Sequence, residues 1–156
     1  MDRTIGVHLQ LLVSSWNSFP LGVGQLELFV WGQAWCLPNQ EHSNFTVIET
    51  ENSGRIRQVS LNTAQVNELL GRLRQLGFPK QVPRVRGIAD TSDVGSHIQL
   101  VVDLDGQRSI LDLQLMASGY DGADARLLRD LFERLLIIFE LDNEYLRHRL
   151  LSARTE

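Results

Sequence analysis

The chain is poor in the residues from which covalent and metal frameworks are built. Its single cysteine, Cys36, excludes an intramolecular disulfide framework and a multi-cysteine metal centre. Lysine is nearly absent, Lys80 being the only one among 15 basic residues. No window approaches the roughly 20 consecutive apolar residues that a membrane-spanning helix needs. The apolar start, Ile5 to Val13, is broken by His8 and Gln10 and lacks a small-residue cleavage site, so it does not read as a signal peptide. The expected location is the cytoplasm, with no membrane partner.

Chemical motifs are missing as well. There is no phosphate loop, nucleophile elbow, paired-histidine zinc helix or kinase signature. Gly22-Val23-Gly24 lacks the third glycine of a dinucleotide fingerprint and precedes a strand rather than a helix. Cys36, between Trp35 and Leu37-Pro38, has no histidine at a spacing that would mark a nucleophile. A catalytic role is therefore not the expectation, and no cofactor is expected.

What is present is enough for one folded body. With 156 residues, 43% apolar and 22% charged, the chain reads as a single domain spanning 1–156. Ile5 to Val13 alternates with a period of two and predicts a strand. Gln25 to Trp31 alternates again, and Gly32 to Pro38 either turns or continues it. Phe45 to Glu51 and Arg55 to Leu61 read as a hairpin around Asn52-Ser53-Gly54.

A helix over Thr63 to Leu76 has explicit boundaries. Asn62 and Gln65 have the spacing of a capping box, and Gly77 followed by Phe78-Pro79 ends it. Lys80 to Gly95 shows little periodicity. His97 to Leu104 and Gln107 to Leu115 flank Asp105-Gly106, a pair suited to a tight hairpin. The last helix begins near Asp121-Gly122 and runs to Phe139, with an interruption at Asp142-Asn143 before Glu144 to Leu151. The predicted fold is α+β: a mainly antiparallel sheet of about five to seven strands with two main helices, in the order β-β-β-β-α-β-β-α.

Charge is unevenly distributed. Residues 53–88 carry +6, from Arg55, Arg57, Arg72, Arg74, Lys80, Arg84 and Arg86 against Glu68. Residues 89–124 carry −6, with seven aspartates against Arg108. The simplest expectation is that the blocks complement each other in the folded chain. The arginines do not alternate with aromatics, so nucleic acid is not the expected partner.

Two apolar features point to a protein partner, a homo-oligomer, or both. On Gln25 to Trp31, Leu26, Leu28 and Val30 share one face, leaving Phe29 and Trp31 on the other, with Trp35 further along. Leu135 to Phe139 is five apolar residues in a row, which covers every side of a helix. Phe29, Trp31, Trp35, Leu135, Ile138 and Phe139 are therefore the candidate partner-binding residues of a non-catalytic adaptor, chaperone or immunity-type protein. The alternative is a small enzyme, or a metal- or ligand-binding domain, using the 80–97 loop over the sheet. Asp90, Asp93 and His97 would then be the metal ligands. Asp103, Asp105 and Asp112 offer only a fragment of a calcium loop.

Overall fold

A computed structural model describes residues 5–17, 25–37, 40–49, 55–91 and 94–154. The alternating segments form β1 (Ile5–Asn17), β2 (Gln25–Leu37), β3 (Gln40–Glu49) and β4 (Arg55–Val59). Helix α1 (Thr63–Gln75) follows, then the two-residue β5 (Arg86–Gly87). The hairpin β6 (Val94–Leu104) and β7 (Gln107–Leu115) leads through β8 (Tyr120–Asp121) to α2 (Ala125–Ile138) and α3 (Glu144–Leu150). The predicted turn at 52–54 lies outside the described residues.

The fold is α+β. Six strands form one antiparallel sheet in the order β4-β3-β2-β1-β6-β7, and β5 pairs with β8 in a small second sheet. Because side chains alternate across each strand, register decides which residues share a face. Leu9 stands opposite Gly32 and Val102, and Leu11 opposite Val30 and Leu100. These rows are buried beneath Leu69 and Leu73 of α1, Leu128, Phe132 and Leu135 of α2, and Leu146 and Leu150 of α3. Among the described residues no helix is long and apolar enough to cross a membrane.

Local chemistry explains the helix boundaries. Asn62 Oδ1 accepts the Gln65 backbone N–H (2.8 Å) and Gln65 Oε1 accepts that of Asn62 (3.0 Å), so the capping box closes in both directions. Asn143 caps α3 by accepting the N–H groups of Tyr145 and Leu146. At the β6–β7 turn Asp105 and Gly106 both take positive φ, 54° and 76°, as a two-residue hairpin requires.

Gly32 keeps β2 running where the sequence left a turn open. It faces the core opposite Phe45, and a Cβ there would lie 2.6 Å from Phe45 Cδ1 and 2.2 Å from the Asn44 carbonyl oxygen. The glycine makes room for the fully buried ring. Gly32→Ala should therefore cost about 1–3 kcal/mol of stability through overpacking, measurable by urea unfolding.

The Leu135 to Phe139 run is enclosed by the chain itself. Leu135, Leu136, Ile138 and Phe139 are all buried, and only Ile137 is exposed, at 54%. The helix stops at Ile138, and Phe139 turns inward against the Phe45 ring, with centroids 5.1 Å apart. Both α1 and α3 pack against α2, which covers the sides that a lone helix would leave open.

Candidate functional site

The opposite face of the six-stranded sheet has no helix over it among the described residues, since all three helices contribute to the single core on the other side. Its rows follow from the strand register. One runs Ile56, Ile48, Phe29, Leu12, Gln99 and Asp112 across all six strands. The next runs Gln58, Thr46, Trp31, Gln10, Val101 and Ile110. A third places Asn44, Gln33, His8, Asp103 and Arg108 side by side.

The middle of this face is aromatic. Phe29 and Trp31 lie two residues apart on β2, and their rings stack with centroids 4.7 Å apart and planes 30° from parallel. Trp35 lies further along the same side of β2, half-buried like the other two. Apolar residues extend the patch to both edges of the sheet, where Ile56 is 65% and Ile110 46% exposed. A buried-core sheet normally presents polar residues on its solvent side, so this composition is out of keeping with a face meant only for water.

Ionisable groups on this face include Asp103, Arg108, His97 and Asp112 on β6 and β7, with His8 beside them on β1. Arg108 grips Asp103 through two hydrogen bonds of 2.8 and 3.1 Å, and His8 Nδ1 lies 3.5 Å from the same carboxylate. The Arg108 hydrogen bond holds Asp103 below the usual carboxylate range. His97 Nε2 stands 2.7 Å from Asp112.

The sequence-derived partner residues thus divide. Phe29, Trp31 and Trp35 share the open face, whereas Leu135, Ile138 and Phe139 lie in the core, out of a partner's reach. Leu12, Ile48, Ile56 and Ile110 also belong to the open face, each an apolar residue out of phase with its strand's buried set, a signal legible in the sequence. Val101 lies on the same side but is only 9% exposed.

The candidate metal ligands are engaged by separate elements. Asp90 Oδ2 accepts the Ser118 backbone N–H (2.8 Å), while His97 is paired with Asp112; Asp93 lies outside the described residues. Among the described residues no three His, Cys, Asp or Glu side chains come together as a metal site. The first part of the 80–97 loop runs beside β7, and its Val85 packs against the core. Ser109 Oγ donates to the Pro79 carbonyl, and Gly87 lies so close to the Gln114 carbonyl that no Cβ would fit.

The two charge blocks meet inside the chain. Arg74 pairs with Asp105 (3.0 Å), Arg86 with Asp121 (3.2 Å) and Arg84 with Asp124 (3.2 Å). Asp124 also accepts the Arg84 backbone N–H at 2.7 Å. That backbone bond first, and the Arg84 side chain after it, hold its carboxyl below the ordinary range.

A folded value below the unfolded one means stability that is complete above the ordinary carboxylate range and is lost as pH falls through the folded value. Asp124→Asn removes this contribution. Its unfolding free energy should decline less steeply than the wild type's below about pH 4, as followed by urea titrations at descending pH.

No protein-family model, curated protein or solved structure matches the chain.

Proposed function

We propose that the chain is a non-catalytic protein-binding domain of the adaptor, chaperone or immunity type, working in the cytoplasm through the open face of its sheet. The observation that carries this reading is the stacked Phe29–Trp31 pair at the centre of a continuous apolar band on the face opposite the helices. Large flat rings anchor protein interfaces because they bury much area while giving up little conformational freedom. The surrounding Gln10, Gln33, Thr46 and Gln58 supply neutral hydrogen-bonding groups, and the Asp103–Arg108 pair and the His97–Asp112 hydrogen bond on β6 and β7 suit a polar rim.

A photo-crosslinking residue at Gln10, between Trp31 and Val101, tests the proposal in living cells. It should capture a protein, and adding Trp31→Asp should abolish capture while the circular dichroism spectrum is unchanged. The same probe at Ile137 on α2 should capture nothing specific. Adducts from Ile137, or Gln10 adducts indifferent to Trp31→Asp, would contradict the reading.

A further inference from the structure

We infer that the open face binds a second copy of this chain, two sheets packing face to face across a two-fold axis. This rests on the protein-binding reading above and names the partner.

Size favours a second copy. Strands about 4.8 Å apart, six across and averaging about ten residues at about 3.3 Å each, make a face of roughly 950 Å². A stable dimer needs about 800 Å² from each partner, which the sheet can supply without help from loops. Sheets stack in this manner inside sandwich domains, about 10 Å apart, with inner side chains interdigitated.

Charge favours it as well. Each copy carries a net charge of −4, so two copies repel wherever their charged surfaces meet. The exposed side of the helices presents Arg126, Arg129, Glu144 and Arg147, which a close contact would have to desolvate. On the open face Arg108 pairs with Asp103, His97 is hydrogen-bonded to Asp112, and Glu27 stands at the bulged end. The rows through Phe29 and Trp31 hold no ionisable side chain from β4 through β1, so a strongly charged foreign partner finds nothing there to pair with. The surface that fits a neutral apolar strip is another neutral apolar strip.

Symmetry is satisfied too. An isologous contact must fit itself. Phe29 and Trp31 occupy neighbouring rows of one strand, in line with Leu12 and Gln10. A two-fold axis crossing the strands between those rows lays Phe29 of each copy over Trp31 of the other.

Sedimentation equilibrium of the full chain should give twice the 17.7 kDa chain mass. Trp31→Asp should raise the dimer dissociation constant at least about thirtyfold, the loss expected of a central anchor. Ile56→Asp, at a position exposed enough to spare the fold, should weaken it in the same direction. Ile137→Asp, comparably exposed on α2, should leave the mass unchanged. A wild-type chain that stays monomeric at its highest soluble concentration overturns the inference, as does a dimer dissolved by Ile137→Asp but not by Trp31→Asp. A monomer that still yields Trp31-dependent adducts from Gln10 with a different protein overturns the second copy alone and leaves the protein-binding reading standing.

Discussion

Phe139→Ala is expected to remove about 3–5 kcal/mol of folding stability, read as a lowered urea midpoint with unchanged slope. The ring is fully buried against Phe45 at the end of α2, and Phe45 in turn lies over the gap that Gly32 leaves in β2. Truncation would leave a cavity between two elements already fixed by the sheet and by α3, so collapse around it is limited. A residue covered only by a partner would behave otherwise: its loss would barely move the stability of the isolated chain. Trp31→Ala should show that second pattern, with association impaired far more than folding.

Arg57→Met is expected to cost a similar amount, about 3–5 kcal/mol in the same assay. Arg57 lies on the core side of β4 and reaches the end of α2, where it donates to the Phe139 carbonyl at 2.8 Å. It also lies 3.6 Å from the buried carboxylate of Glu49. Taking the guanidinium away leaves that carboxylate without its cation and the helix terminus without a donor. Adding Glu49→Gln to Arg57→Met should recover part of the loss, because the stranded charge is then gone.

The parts of this fold that were legible in the sequence are those set by neighbours along the chain. Asn62 and Gln65, three residues apart, announced α1. Asp105-Gly106 announced the β6–β7 hairpin, and alternation from Ile5 to Val13 announced β1. The parts that were not legible depend on what comes to lie across from a residue. Gly32 reads locally as a turn, and only Phe45 on the next strand explains why the strand continues through it. Leu135 to Phe139 reads as an apolar surplus, yet α1, α3 and the sheet enclose it.

The candidate site was half legible for the same reason. Phe29 and Trp31 stood out because they oppose Leu28 and Val30 on a single strand. Ile48, Ile56 and Ile110 join them only through register, which a sequence does not print. The loop after α1 gained its place from Arg84 and Arg86 finding Asp124 and Asp121, about 35–40 residues further on.

The central claim is that the aromatic face of the sheet, and not the late helix, is the surface this chain offers to a partner. Isoleucine methyl NMR with a soluble paramagnetic agent tests it most directly. In dilute solution the methyls of Ile56, Ile110 and Ile137 should broaden, while those of Ile98 and Ile138, buried in the core, should not. On concentrating the protein, Ile56 and Ile110 should become protected and Ile137 should stay accessible. Protection of Ile137, with Ile56 and Ile110 as open as before, would contradict the account.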